Sequence, residues 1–346
     1  MRPRRIAICT AQVPFVYGGN ERLVASLHAE IVKRGMRAEV ISIPFKWYPS
    51  SRLVTECMIW RMLDITESNG ERIDAVIATK FPSTVVKHPN KRIWLVHQHR
   101  AIYDLYGTAI GDFGYQKEDV LVRDAIVNID NRTISEAKKV CTISRNVSGR
   151  LKRFNGIESE PLYPPPANME KFHNEGYGDY VLYMGRLNKA KRVDMLIDSF
   201  RFARAGSRCL IAGAGEERGA LEGRVRELGL GDRVKLLGFV TDDEAIRLYA
   251  NARAVFYAPY DEDYGFTTVE AFLSRKPVIT TEDSGGVLEF VEDGESGFVT
   301  KNDPREIADR IDRLFASRDE CARLGERGYE LVKGIGWDNV IEGLLE

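Results

Sequence analysis

Three consecutive prolines, Pro164-Pro165-Pro166, interrupt what is otherwise a steady alternation of short apolar runs and amphipathic segments. Proline fixes φ and has no N–H, so the stretch forbids helix and makes a stiff extended link. The same rhythm resumes beyond it, so the chain reads as two α/β halves. A chain of 346 residues is also too long for one ordinary core and suits two. The expected domains are residues 1–165 and 166–332.

In the first half, Arg5-Ile6-Ala7-Ile8-Cys9-Thr10 reads as a buried strand and leads into a loop ending Tyr17-Gly18-Gly19-Asn20. A helix follows from Glu21 to Arg34, with Leu23, Val24, Leu27, Ile31 and Val32 as its apolar stripe, and Ala38 to Ile43 completes a βαβ unit. The glycine pair suits close approach of an anion to the helix start, although it is not the Gly-x-Gly-x-x-Gly fingerprint. Residues Arg52 to Thr66 form an apolar helical segment read as core. Trp47 and Trp60 give that region a second reading, a membrane-facing patch. Asp74 to Thr79 and Arg92 to Val96 read as further parallel strands, the second ending in His97-Gln98-His99-Arg100. At the carboxyl end of a strand, where open α/β sheets bind ligands, these groups can meet an acceptor hydroxyl or phosphate. A zinc site is the competing reading of the two histidines, and no Cys or carboxylate at ligand spacing supports it.

The second half restarts with the strand Tyr180-Val181-Leu182-Tyr183-Met184, followed by Gly185-Arg186-Leu187-Asn188-Lys189-Ala190-Lys191-Arg192. Basic groups in a strand-to-helix loop beside a glycine make a diphosphate clamp, since Arg forks onto paired oxygens and Lys acts as a point charge. Two more strands end in Gly213-Ala214-Gly215 and in Gly238-Phe239, where glycine lets backbone approach a nucleotide or simply turns the chain. Then comes Ala254-Val255-Phe256-Tyr257, a loop Pro259-Tyr260-Asp261-Glu262-Asp263-Tyr264-Gly265, and a helical segment from Phe266 and Thr267 through Glu270. Two carboxylates, Glu262 and Glu270, thus flank a strand-to-helix turn whose first N–H groups lack intrahelical partners and can take phosphate or sugar hydroxyls. Capping or solvation is the plain reading of either glutamate in isolation.

Charge is balanced overall at −1 but not along the chain: residues 1–165 carry 25 Lys+Arg against 17 Asp+Glu, and residues 166–346 carry 25 against 34. The basic half points to an anionic partner such as a membrane surface or phosphorylated acceptor, or else to a mixed solvated surface. The five scattered cysteines read as core residues of a reducing compartment. No apolar run approaches the ~18 residues of a membrane span, and no signal peptide is read at the start. Asn131-Arg132-Thr133 and Asn146-Val147-Ser148 are then chance matches to a glycosylation pattern. The expectation is a cytoplasmic protein, with peripheral contact to the inner face of the membrane through the N-terminal half as a further reading, and no nucleic-acid partner.

Taken together the chain resembles glycosyltransferase family 4, the retaining, nucleotide-sugar-dependent transferases of GT-B fold. The resemblance is carried by Gly18-Gly19-Asn20-Glu21, Gly185-Arg186-Leu187 with Lys191, Gly213-Ala214-Gly215, Gly238-Phe239, Pro259-x-x-Glu262-x-x-Gly265-Phe266 with Glu270, Pro277-Val278-Ile279, and Gly285-Gly286 with Glu289. It covers the second half nearly throughout and the first only in its glycine loop and layout. It implies two Rossmann-like domains facing each other across a cleft, with a final helix over 333–346 returning to the first. Arg186 and Lys191 would hold the donor diphosphate, Glu270 the ribose, and Glu262 with the N–H groups of Gly265 and Phe266 the transferred sugar. Gly18, Gly19, Gly185, Gly215, Phe239 and Thr267 would complete the donor site, and His97 or His99 would serve the acceptor.

The implied reaction keeps the anomeric configuration, with the leaving phosphate helping to deprotonate the acceptor, and requires no metal or other cofactor. The nucleotide sugar, of UDP or GDP type, is a substrate, and the acceptor is a glycan or lipid-linked glycan of the cell envelope. Asp263 departs from the family pattern, standing where a glycine is usual, Tyr264 stands where Phe is usual, and the linker Pro166-Ala167-Asn168 departs from Pro-x-x-Asp. Competing readings are a metal-dependent transferase using Asp261-x-Asp263, a sugar-nucleotide epimerase or glycan phosphorylase of the same architecture, and a non-catalytic sugar-nucleotide-binding module.

Overall fold

Buried apolar strands that alternate with one-sided helices can only satisfy both by layering, helices over a parallel sheet, and the chain does so twice. A computed structural model describes residues 4–16, 18–108 and 111–346, so Tyr17 of the glycine loop lies outside the described residues. One unit comprises Met1–Ala167 with Ile335–Glu346, the other Asn168–Gly334.

The first unit is built on β1 (Arg5–Gln12), α1 (Gly19–Lys33), β2 (Arg37–Pro44), α2 (Arg52–Met62), β3 (Glu67–Ser68), β4 (Glu71–Arg72), β5 (Ala75–Ala78), β6 (Lys91–Leu95), α3 (Lys117–Ile134), β7 (Lys139–Thr142), α4 (Arg145–Asn155) and β8 (Glu160–Pro161). Its sheet is ordered β2-β1-β5-β6-β7-β8, with every pair parallel. β1 and β5 are buried on both faces, and α1 covers the sheet with Leu23, Val24, Leu27 and Ile31. The apolar segment read as helix to Thr66 stops at Met62, and Asn69-Gly70 then turns a small antiparallel hairpin. Asn-Gly is the expected signal for such a turn, since both residues take φ above zero. α2 buries Leu53, Glu56, Cys57 and Trp60 while Met58 and Met62 are exposed. Trp60 therefore belongs to the core, while Trp47, half-buried, donates its indole N–H to Asp112 at 3.1 Å.

The last helix, α11 (Trp337–Leu345), belongs to this unit. Trp337 meets Trp94 edge to face at 6.1 Å, and Arg92 and Arg4 donate to the otherwise unsatisfied carbonyls of Leu344 and Leu345 at 2.6 and 3.3 Å.

The second unit runs β9 (Tyr180–Met184), α5 (Val193–Ser199), β10 (Arg208–Ala212), α6 (Arg218–Glu227), β11 (Val234–Gly238), α7 (Asp242–Asn251), β12 (Ala254–Phe256), α8 (Phe266–Leu273), β13 (Val278–Thr281), β14 (Gly297–Thr300), α9 (Pro304–Ala316) and α10 (Arg318–Val332). The sheet is ordered β11-β10-β9-β12-β13-β14 and is parallel throughout. The chain builds outward from β9 to β11, then crosses back to lay β12 on the other side of β9. That reversal opens a crevice at the carboxyl ends of β9 and β12, the place where such sheets bind ligands.

All five cysteines are buried and free, and burial pushes the Cys9 thiol up to about 12. Among the described residues no helix is long and apolar enough to cross a membrane.

Candidate active site

The carboxyl ends of β9 and β12 bring the second unit's predicted residues together. Lys191 closes a single 3-10 turn after β9, where the Asn188 side chain caps its N–H at 3.2 Å. Its ammonium pairs with the Glu262 carboxylate and donates to the Tyr257 hydroxyl at 3.0 Å. The two partners are only 17% and 22% exposed, so their attraction is weakly screened. Arg186 lies earlier in the same loop, exposed, and among the described residues no ion pair engages its guanidinium. The Tyr183 hydroxyl donates to the Arg186 carbonyl at 2.9 Å and so fixes the loop from below.

Glu270 lies on α8, eight residues beyond Glu262, and accepts from the Tyr249 hydroxyl at 2.8 Å. Burial first, then the Glu270 carboxylate, holds the Tyr249 phenol far above its ordinary range; burial followed by Glu262 and Glu270 does the same for Tyr257. Thr267 donates to the Met184 carbonyl at 3.0 Å, tying the first turn of α8 to the end of β9. Gly265 begins α8 at φ 91°, a conformation that favours glycine, and no side chain caps the helix. The Thr268 N–H donates to the Gly265 carbonyl at 2.9 Å, and the N–H groups of Phe266 and Thr267 have neither intrahelical acceptors nor a capping side chain. Phe239, just past β11, is 76% exposed and presents an apolar face at the same end of the sheet.

Several glycines and one arginine serve the frame. A Cβ on Gly213 would stand 1.8 Å from the Gly185 carbonyl oxygen, and one on Gly215 would stand 2.1 Å from that of Leu187. Their absence of side chain is used up by packing of the β10 loop on the clamp loop. Gly286 likewise leaves room for the Asp263 carbonyl, 2.6 Å from where its Cβ would be, and donates its N–H to the Glu262 carbonyl at 2.7 Å. Arg192, read with the diphosphate-binding charges, is an internal brace. It donates to the Ala258 and Pro259 carbonyls and the Thr281 hydroxyl, each at 2.9 Å, and pairs with Asp283 at 2.7 Å. No local signal separates Arg192 from Lys191 or marks Tyr249 and Tyr257, because their partners are remote in sequence.

In the first unit, Gly18 caps α1 and donates its N–H to Glu21 at 2.8 Å, while Gly19 is exposed at the first turn. Burial acts to raise the Glu21 carboxyl, but Lys80 at 3.4 Å and hydrogen bonds from Asn20 and Gly18 outweigh it and hold Glu21 below the usual range. The two histidines separate cleanly. His99 is ringed by Phe45, Phe81 and Phe113 at centroid distances of 6.2, 5.5 and 6.0 Å, its Nε2 is buried with no partner, and burial followed by the His97 charge pushes it down to about 4. His97 is half-buried, with Nδ1 2.7 Å from the Gln98 carbonyl oxygen. Between them, buried Gln98 donates to Asn155, which donates to Asn131 at 2.6 Å and to the Tyr103 hydroxyl at 3.3 Å, and Tyr103 donates to Asp130 at 2.6 Å. Among the described residues no third His, Cys, Asp or Glu joins the histidines, or Asp261 and Asp263, in a cluster that could hold a metal.

Residues 166–331 match the family of glycosyl transferases group 1. The second unit is a glycosyl transferases group 1 domain. The chain is 31% identical over 156 residues to an alpha-D-kanosaminyltransferase of Streptomyces kanamyceticus, covering 44% of this chain and 40% of that protein. It is 28% identical over 227 residues to a capsular polysaccharide biosynthesis glycosyltransferase of Staphylococcus aureus, covering 62% and 59%. An uncharacterized glycosyltransferase of Methanocaldococcus jannaschii is 26% identical over 220 residues, with 61% and 59% covered. The matches thus span no more than about three fifths of these relatives' length.

Among solved structures, sucrose-phosphate synthase of Thermosynechococcus elongatus superposes with a TM-score of 0.79 at 19% identity, over 98% of this chain and 97% of that one. HepE of Anabaena in complex with UDP-glucose gives 0.70 at 17% identity, covering 98% of each. The fold class is GT-B, as the sequence leads one to expect, and the group 1 domain is its second Rossmann-like unit.

Proposed function

We propose that the protein is a retaining glycosyltransferase that moves a sugar from a nucleoside-diphosphate sugar to a hydroxyl acceptor. The observation that carries this is the meeting of Lys191, Glu262 and the uncapped start of α8 at the switch point of the group 1 domain. Lys191 and the unengaged Arg186 hold the donor diphosphate, and Glu270, oriented by Tyr249, takes the ribose hydroxyls. Glu262 and the N–H groups at Gly265 and Phe266 face the sugar. As the bond from C1 to the diphosphate oxygen breaks, negative charge grows on the leaving group, and fixed cations that bind this charge more strongly than the intact donor lower the barrier. The acceptor oxygen bonds to C1 on the same face, and its proton passes to the leaving phosphate.

On this reading the two cations do the work of a metal, and neither metal nor other cofactor is required. His97 is the acceptor-side histidine, because His99 is enclosed by rings and neutral. The acceptor is a glycan or lipid-linked glycan, and envelope polysaccharide or glycolipid synthesis in the cytoplasm, on the membrane's inner face, suits a chain similar to a capsular polysaccharide enzyme.

UDP-, GDP- and ADP-sugars screened by thermal shift and by transfer test the proposal, since a ligand bound only by the native state raises its melting temperature. Lys191→Ala is expected to lower turnover roughly 10²–10³-fold while nucleotide binding weakens only a few-fold. Equal turnover in the variant removes the charge-stabilising role. Activity lost on exhaustive chelation overturns metal independence.

A further inference from the structure

Lys191 has two neighbours of different kinds. Glu262 sits on the loop beyond β12, 22% exposed, and reaches Lys191 through a charge pair. Tyr257 is itself only 4% exposed, and its hydroxyl accepts from the ammonium at 3.0 Å. The ring is fixed as well, lying 6.5 Å from the Tyr183 ring at a tilt of 37°, and the ammonium stands 5.3 Å from the Tyr257 ring centroid.

If Glu262 faces the donor sugar, as proposed above, its pair with Lys191 must loosen when donor arrives. A lysine is a point charge on a flexible four-carbon stem, and losing its partner would free it to wander. The hydroxyl of Tyr257 is the partner that stays, because it is rooted directly after β12 in the sheet. Tyr183, on the neighbouring strand β9, donates instead to the backbone carbonyl of Arg186. Of the two clamp residues, only Lys191 has its charged group on a buried tyrosine, whereas Tyr183 holds the main chain of Arg186.

We propose that Tyr257 is a positioning residue for Lys191, holding the ammonium at the carboxyl ends of β9 and β12 while Glu262 exchanges its ion pair for the donor sugar. The inference rests on the glycosyl-transfer reading. Tyr257→Phe removes one oxygen and keeps the ring, so the packing is retained. With the donor found in the screen, the variant is expected to lose about tenfold in turnover while its donor KM moves less than about threefold and its melting temperature stays close to that of the parent. Added to Lys191→Ala, the same change should cost much less than tenfold, since the share that acts through the ammonium is already gone, although the Tyr257 hydroxyl also meets Glu262 and Thr267.

Parental turnover in Tyr257→Phe, or an undiminished tenfold loss in the Lys191→Ala background, overturns the positioning role. A drop confined to KM or to melting temperature overturns it too, showing a binding or a packing role. If the parent protein transfers no sugar and no nucleotide sugar shifts its melting temperature, the glycosyl-transfer reading fails and this inference falls with it.

Discussion

Both units are parallel sheets clothed in helices, yet they treat the ends of their strands in opposite ways. In the second unit the strand order reverses between β9 and β12, and the loops there are charged, glycine-packed and bonded to one another. In the first, order reverses between β1 and β5, and the end of β6 carries a neutral histidine among aromatic rings above a buried chain of amides, a phenol and a carboxyl. One site is organised to hold charge and the other to keep a group uncharged. A shared layer architecture therefore says little about chemistry, which is decided by what packs beneath each loop.

The comparison can be broken most severely at Gly213. Alanine there would meet the Gly185 carbonyl oxygen at 1.8 Å from a φ of +139°, and a loss of about 4 kcal/mol in urea or thermal unfolding is expected. Gly156, after α4 in the first unit, also has positive φ (+67°) but open space around its Cβ, so Gly156→Ala should cost only about 1 kcal/mol. Similar costs at the two positions would mean that the second unit's loops are not locked by packing.

Arg192→Ala comes next, with an expected loss of about 2–3 kcal/mol near neutral pH, because it takes the side-chain donor from two loop carbonyls and the ion-pair partner from Asp283. Burial works to raise the Asp283 carboxyl, but Arg192 and Asn302 outweigh it and bring it from 3.8 down to about 2. Its stabilisation is therefore present above pH 3.8 and lost as pH falls toward 2, and the variant's unfolding should be flatter in that window. An unchanged acid profile would detach Asp283 from Arg192.

The last effect belongs to the first unit and is confined to acid pH. Burial lowers His99 from 6.5 to about 4, so the unfolded chain binds the proton first, and stability present above pH 6.5 is lost as pH falls toward 4. His99→Phe, which suits the surrounding rings, should remove up to about 2 kcal/mol of that acid sensitivity. Identical pH curves for variant and parent would show that His99 is not held neutral by its cage.

The fold was readable because strand burial, helix stripes and glycine turns are written over neighbouring residues: β1, α1, β9 and the start of α8 follow from windows of a few residues. The second unit's candidate residues could be picked out for the same reason, since Arg186, Lys191 and Glu262 stand in loops that follow strands and Glu270 on the helix that comes next. What escaped depends on contacts between remote segments. Arg192 differs from Lys191 only in whether Asp283 lies within reach, and His99 differs from His97 only because Phe45, Phe81 and Phe113 close around it. Trp60 in an apolar helix has no local mark of facing inward, and the burial of Gly215 against Leu187 is visible only once β10 lies beside β9.

The bracing of residues 258–262 has a consequence for how such a protein can change. Its backbone is pinned by Arg192 at Ala258 and Pro259, by Ala190 at Tyr260, by Asp283 at Asp261 and by Ser284 and Gly286 at Glu262, all through main-chain atoms. Geometry and side-chain identity are thus stored in different places. Asp261, at φ 41°, is confined to the few residues that tolerate that conformation, whereas Asp263 carries no such backbone restriction. If the proposed glycosyl transfer holds, a mutational library at position 263 would test whether that side chain sets sugar preference while the main-chain bonds keep the loop in place.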